Sequence, residues 1–125
     1  MKKAMLVLLT LGLAGCGYSV DEVQTSAPRF TMTVPAAWDR VGNCLATYYS
    51  TGDYDTLYLP VASEKRADII VKMIGPGIVQ YRTVMFLLDV RAAGDGTAVT
   101  FRRRDLPARI DDTTRTEIAR CGAAA

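Results

Sequence analysis

From Leu57 onward the chain contains consecutive segments in which apolar and polar residues alternate, and this pattern limits the choice of fold more than any other feature. A period of two is typical of β-strands that bury one face. Four such segments lie between Leu57 and Arg104, and Gly75-Pro76-Gly77 and Gly94-Asp95-Gly96 mark turns between the last three of them. Because Pro60 cannot donate to a sheet ladder, the first segment is expected at a sheet edge. The predicted strands cover residues 57–61, 68–74, 78–91 and 97–104.

The first half adds one strand and one helix, and the chain ends with a second helix. Residues 30–34 alternate in the same way, which predicts a fifth strand. Residues 36–49 place apolar side chains at three- and four-residue steps, the spacing of an amphipathic helix. A final helix of about nine residues is expected to begin at Asp111 or Asp112, whose carboxylate can accept from the free N–H groups of the first turn. We expect it to end at Gly122.

The element order is therefore strand, helix, four strands, helix. This order favours an α+β fold, a two-layer sandwich with a mainly antiparallel sheet of about five strands and both helices on one face. Gly42 weakens the middle of the first helix, so we expect it to mark a close approach of that helix to the sheet.

Charge and composition limit the chemistry that the chain can perform. There are 15 Lys and Arg residues against 13 Asp and Glu, and the excess of two equals Lys2 and Lys3 at the start of the chain. The remainder carries no net field that would recruit nucleic acid. Histidine is absent, and histidine is the commonest metal ligand and the usual acid or base near neutral pH. We expect no catalytic residues, no metal site and no cofactor.

The first sixteen residues have the three regions of an export signal. Met1 to Lys3 form a short basic start, Ala4 to Leu13 an apolar run too short to span a bilayer, and Leu13-Ala14-Gly15-Cys16 a small-residue end. This tetrapeptide resembles the lipobox of bacterial lipoproteins. The resemblance implies cleavage before Cys16, a thioether-linked diacylglycerol on its sulfur and a third acyl chain on its amino group. Two or more acyl chains anchor a protein stably. Two alternatives are an ordinary secretory signal and an uncleaved N-terminal helix.

Three regions follow from this interpretation: a signal peptide at residues 1–15, a lipidated cysteine with a polar spacer at 16–28, and a single domain at 29–125. By resemblance to enterobacterial sorting, the lack of aspartate at Gly17 and Tyr18 favours the periplasmic face of the outer membrane over the inner membrane. The layout of the domain is similar to the helix-grip domains of some outer-membrane assembly lipoproteins, a likeness of fold alone.

The two remaining cysteines lie on the predicted helices. Cys44 belongs to the apolar stripe of the first, and Cys121 to the last turn of the second. If both helices cover one sheet face, the two thiols can meet and form a disulfide in the oxidising periplasm. The alternative is that each cysteine is a small buried apolar residue.

Two groups of residues are candidates for binding a partner. The tyrosines around the turn after the first helix offer contact area and a hydrogen-bonding tip, and the candidates among them are Tyr49 and Tyr54. The alternative is that Tyr48 and Tyr58 cover the core while Tyr49 and Tyr54 lie at its rim. Arg102 and Arg104 share one face of the last strand and are the second pair of candidates.

These arginines could contact anionic lipid headgroups or an acidic partner. The alternative is a solvated edge strand protected by charge against aggregation.

The sequence favours a non-catalytic accessory or structural module that binds another envelope protein while its lipid holds it at the membrane. Tethering raises the effective concentration of a weak binding surface. The alternative is a carrier or sensor that holds a small apolar ligand between the sheet and the helices.

Overall fold

The computed structural model describes residues 19–52, 54–74, 82–103 and 108–124. The leader, Cys16, the Gly75-Pro76-Gly77 segment and Arg104 lie outside these ranges. The elements in chain order are α1 (Val20–Gln24), β1 (Phe30–Val34), α2 (Trp38–Ser50), β2 (Tyr54–Val61), a 3-10 turn (Ala62–Glu64), β3 (Arg66–Ile74), β4 (Arg82–Ala93), β5 (Gly96–Arg103) and α3 (Ala108–Cys121).

The five strands form one antiparallel sheet in the order β1-β5-β4-β3-β2. The edges are β1 and β2, so Pro60 lies on an edge strand as predicted. The last two strands form a tight hairpin, in which Ala93 pairs with Gly96. Gly94 has a φ of +57° in this turn, a backbone conformation that residues with a side chain rarely adopt.

Helices α2 and α3 pack on one face of the sheet, which confirms the predicted α+β sandwich. Alternate residues of the strands supply the sheet side of the core, because successive side chains of a strand point to opposite faces. The helices supply the other side through residues at three- and four-residue spacing. The fully buried members of this core are Val41, Leu45, Ala67, Ile69, Val71, Phe86, Leu88, Val90, Val99, Phe101 and Ile118.

Two glycines allow close approaches in this layer. A Cβ atom on Gly42 would lie 2.9 Å from the Tyr58 hydroxyl, so α2 does approach the sheet at this residue. A Cβ atom on Gly122 would lie 2.3 Å from the side chain of Val34. The helix ends there as predicted, but the need for glycine comes from packing against β1.

Helix α1 corrects the predicted spacer at 16–28. Its Val23 is completely buried and packs on the sheet face opposite α2 and α3, against Ile70, Val84 and Leu87. The side chain of Ser19 caps the helix by accepting from the N–H of Glu22 at 3.3 Å. A serine followed three residues later by glutamate is a known start signal for helices. The folded unit therefore begins about ten residues before Arg29.

Two further predictions about the strands and α3 were wrong. Strand β5 lies between β1 and β4, so it is an interior strand and its arginines do not protect a sheet edge. Helix α3 begins at Ala108, which places Asp111 inside the helix and rules out a capping role for Asp111 or Asp112. The order of strands depends on pairing between distant segments, which alternation along a single strand does not reveal.

Candidate functional site

A cleft opens between the sheet and both helices, at the end of the sheet where β2 begins. It has a volume of about 180 Å³ and is walled mainly by aromatic rings and threonines. We call it the aromatic cleft, and its lining residues are Tyr48, Tyr49, Thr51, Gly52, Tyr54, Phe86, Ile110, Thr113 and Thr114. Helix α2 and the turn after it, β2, β4 and α3 each contribute part of the wall.

Tyr49 forms the base of the aromatic cleft. Its side chain is only 4% exposed, and its hydroxyl and that of Thr114 lie 3.1 Å apart in a buried hydrogen bond. Its ring contacts those of Phe86 and Tyr54 edge-on, with centroids at 5.0 and 6.3 Å. Burial raises the pKa of Tyr49 to about 12, so its phenol stays protonated at any physiological pH. Tyr49, a predicted partner-binding residue, is therefore a buried part of the cleft wall rather than an exposed side chain.

Solvent reaches Tyr48 and Tyr54, two of the tyrosines that line the aromatic cleft. Tyr48 is 36% exposed, and its ring lies edge-on to Tyr49 at 4.8 Å. Tyr54, the other predicted partner-binding tyrosine, is half-buried and lines the aromatic cleft. The alternative assignment, with Tyr48 over the core and Tyr49 at its rim, was therefore wrong for both residues. The buried face of α2 consists of Val41, Gly42, Leu45, Ala46 and Tyr49, so Tyr49 points into the core while Tyr48 stays exposed.

The disulfide joins the two helices that wall the cleft. Cys44 of α2 and Cys121 of α3 are bonded, with their Cα atoms 5.5 Å apart. These are the two cysteines that the sequence paired. The bond lies at the opposite end of α3 from Ile110, which lines the cleft. The two helices that bound the cleft are therefore covalently linked.

A buried ion pair holds the beginning of α3 to the sheet. Arg103 donates to both carboxylate oxygens of Asp111, at 2.7 and 3.1 Å, and Arg29 donates to the same carboxylate at 3.3 Å. The hydrogen bond from Arg103 is the main reason why the pKa of Asp111 lies below its ordinary value. The sequence analysis placed Arg102 and Arg104 on one face of this strand, which leaves Arg103 on the other, but it did not predict the pairing with Asp111. Arg103 alternates with the buried residues Val99 and Phe101 of β5. This position could have indicated the ion pair, because a buried charge needs a counter-charge.

Arg102 points to the opposite sheet face, so the consecutive arginines do not form one basic patch. Its guanidinium donates to the backbone carbonyl of Ser26 and borders a second cleft of about 210 Å³ beside α1. We call it the outer cleft, and it is lined by Val20, Gln24, Leu59, Asp68, Ile70, Leu87, Asp89 and Arg102. The predicted partner of Arg102 in such a patch, Arg104, lies outside the described residues.

The two carboxylates of the outer cleft are already paired. Asp68 accepts from Arg66 at 3.2 Å, and Asp89 accepts from Arg91 at 2.8 Å. Burial raises the pKa of Asp68, and the neighbouring Asp89 raises it further. Within residues 19–52, 54–74, 82–103 and 108–124, no three side chains of the metal-binding types come together.

None of the helices in the described part of the chain has the length and apolar character needed to cross a membrane. No family model matches the chain, and no curated protein or solved structure shows significant similarity to it. The likeness to helix-grip domains therefore rests on the order of elements alone.

Proposed function

We propose that this chain is a non-catalytic accessory module of the cell envelope, anchored by lipid on Cys16 to the periplasmic face of the outer membrane, and that its aromatic cleft binds another envelope protein. The observation that carries the proposal is the cleft itself. It is a preformed concave site with aromatic walls, and aromatic pockets are where protein interfaces concentrate their binding energy.

The size of the aromatic cleft favours a side chain of a partner protein over a free ligand. At about 180 Å³ it is smaller than the roughly 300 to 1,000 Å³ typical of pockets for small molecules. The exposed parts of Tyr48 and Tyr54 add a rim that can hydrogen-bond to the partner's backbone. A single apolar side chain inserted between these rings would be largely desolvated.

The proposed location at the membrane is supported by residues outside the cleft. The lipobox-like Leu13-Ala14-Gly15-Cys16 supplies the anchor. The disulfide between Cys44 and Cys121 suits an oxidising compartment such as the periplasm.

The non-catalytic part of the proposal is supported by composition. The chain contains no histidine, and histidine is the usual residue that activates a serine or binds zinc.

Blocking the aromatic cleft should remove partner binding. Thr113 is exposed and lines the cleft, so Thr113→Trp would fill it, whereas Thr116 is exposed on the same helix outside it. With a photoreactive residue at Tyr48, we expect crosslinking to an envelope protein to fall roughly tenfold or more in Thr113→Trp, the effect of losing one strong contact. Thr116→Trp should leave the yield unchanged. Equal yields in both variants, or no protein neighbour at all, would contradict the proposal.

The lipid anchor is tested by the intact mass of the protein recovered from membranes. We expect the mass of residues 16–125 plus a diacylglycerol and one further acyl chain, with a gain of two hydrogen atoms on reduction of the disulfide. Cys16→Ser should leave the chain without acyl groups and release it from the membrane fraction. If this variant is processed and retained as before, the anchor is wrong.

A second candidate function is a carrier or sensor of a small apolar ligand. It is favoured by the position of the aromatic cleft between the sheet and both helices, where such a ligand was expected. Native mass spectrometry of residues 19–125 produced without the lipid should then show a retained molecule, which Thr113→Trp should displace. A ligand-free mass would leave the protein-binding proposal as the better one.

A further inference from the structure

The position of α1 shows from which side of the sheet the chain runs to its anchor. We call the sheet face opposite α2 and α3 the outer sheet face. Val23 is buried in this face, and Val20 at the start of α1 packs beside it and borders the outer cleft. Ser19, the cap of α1, is therefore held at the outer sheet face.

The chain between the anchor and this face is short. Cys16 precedes Ser19 by three residues, so an extended chain of about 3.5 Å per residue separates the two by roughly 11 Å at most. A free spacer over 16–28 would have reached roughly 45 Å by the same measure. With α1 packed on the sheet, a lipid on Cys16 brings the outer sheet face within a headgroup layer of the bilayer.

Two large apolar side chains lie uncovered on this face. Leu57 and Leu59 are 44% and 42% exposed and follow one another on the same side of β2. Helix α1 packs mainly on β4 and β5, and Leu59 borders the outer cleft beside it. Adjacent exposed leucines suit contact with the boundary between headgroups and acyl chains.

The charges around the leucines do not oppose such contact. The carboxylates of Asp68 and Asp89 are paired with Arg66 and Arg91 on the same face. Long arginine side chains can lie along an apolar surface while their guanidinium groups stay among the headgroups.

We propose that the outer sheet face lies against the bilayer, with Leu57 and Leu59 at the headgroup boundary and the helix layer facing the periplasm. The inference rests on the lipid anchor proposed above and adds an orientation to it. The aromatic cleft, which lies between the sheet and the helix layer, is thereby placed on the side away from the membrane, where periplasmic proteins can reach it. The leucines would act as a second, weak membrane contact beside the acyl chains.

Tryptophan quenching by brominated lipids tests this orientation. Trp38 is the chain's sole tryptophan, so Leu59→Trp and Thr116→Trp are each made in a Trp38→Phe background and purified as full lipidated protein in phosphatidylcholine vesicles. Thr116 is the matched control, because it is exposed on α3 in the opposite layer. We expect bromine on the acyl chains to reduce the emission of Leu59→Trp roughly twofold and to leave Thr116→Trp unquenched, as an interfacial contact requires.

The outcomes separate the orientation from the anchor. If the intact mass shows the acyl groups but the two variants are quenched equally or not at all, the orientation is overturned and the anchor stands. A blue shift of the Leu59→Trp emission without quenching would place a second copy or another protein on the face, which also overturns it. A mass without acyl groups overturns both. Should Trp38→Phe unfold the domain, hydrogen exchange tests the orientation instead. We expect the β2 amides to exchange more slowly in the lipidated protein on vesicles than in Cys16→Ser in solution, and equal exchange rates would overturn the orientation.

Discussion

Asp111→Asn is expected to lower the free energy of unfolding by about 2 to 3 kcal/mol, because the buried hydrogen bonds from Arg103 lose the negative charge that strengthens them. The side chains of Arg103 and Asp111 are 7% and 11% exposed, and two hydrogen bonds join them. Asparagine has nearly the same shape as aspartate, so the substitution removes the negative charge that faces the Arg103 guanidinium and changes little else. Equilibrium unfolding in urea measures the loss.

The adjacent residue provides the control. Asp112 is 82% exposed and forms a long, solvent-exposed ion pair with Arg115 at 3.9 Å. Asp112→Asn should therefore lower the free energy of unfolding by less than about 1 kcal/mol. Replacing both members of the buried pair, as Arg103→Met with Asp111→Leu, should recover most of the loss because the Arg103 charge is removed together with the Asp111 charge that faces it. Similar losses at 111 and 112, or a double variant no more stable than Asp111→Asn, would contradict this account.

The same ion pair should make stability depend on pH. The hydrogen bond from Arg103 lowers the pKa of Asp111 in the folded state. A group with a lowered folded pKa contributes stability that is fully present above its unfolded pKa, about 3.9 for aspartate, and that is lost as the pH falls through the folded value. The stability gap between the natural chain and Asp111→Asn should therefore narrow from pH 7 toward pH 2. A gap that stays constant over this range would count against the assignment.

Replacing both Cys44 and Cys121 with alanine is expected to lower the free energy of unfolding by about 4 kcal/mol. The bond joins residues separated by 77 positions, so the unfolded chain gains the freedom of a long loop when the bond is absent. Since 1 kcal/mol corresponds to about 4 to 8 °C for a domain of this size, Tm should fall by about 15 °C or more. Calorimetry or circular dichroism on heating measures the shift.

Reduction supplies the control for the cysteine variant. The natural chain in reductant should match the double alanine variant, whereas reductant should not change the variant itself. Two isolated cysteines, the alternative that the sequence left open, predict no effect of reductant on the natural chain. A Tm unchanged after complete reduction, verified by mass, would show that the bond does not stabilise the fold.

The ion pair and the disulfide act on opposite ends of the same helix. Asp111 fastens the first turns of α3 to β5, and Cys121 fastens its last turn to α2. Thr113 and Thr114, which wall the aromatic cleft, lie between these two attachments. A cleft whose wall is held at both ends loses little conformational freedom on binding, and such preorganisation strengthens an interface. Loss of either attachment should therefore weaken partner binding as well as stability.

Local pattern was sufficient for the fold class and for several individual residues. Alternation in the five strands and the helical stripe of α2 predicted the layers, because each depends only on which neighbours along the chain share a face. Pro60 indicated an edge strand from its missing N–H, and Gly42 indicated a close approach from its missing side chain. The even count of cysteines behind Cys16 pointed to the pair that the structure joins.

Tertiary structure alone decided what covers the second face of the sheet and how the cleft is built. The burial of Val23, the interior position of β5 and the exchange of roles between Tyr48 and Tyr49 all depend on contacts between segments far apart in the chain. Periodicity tells which side chains share a face, but it does not tell which strand lies alongside or how far a helix is rotated about its axis. Those are settled by the packing of the whole core, in which Arg103 and Asp111 also find each other.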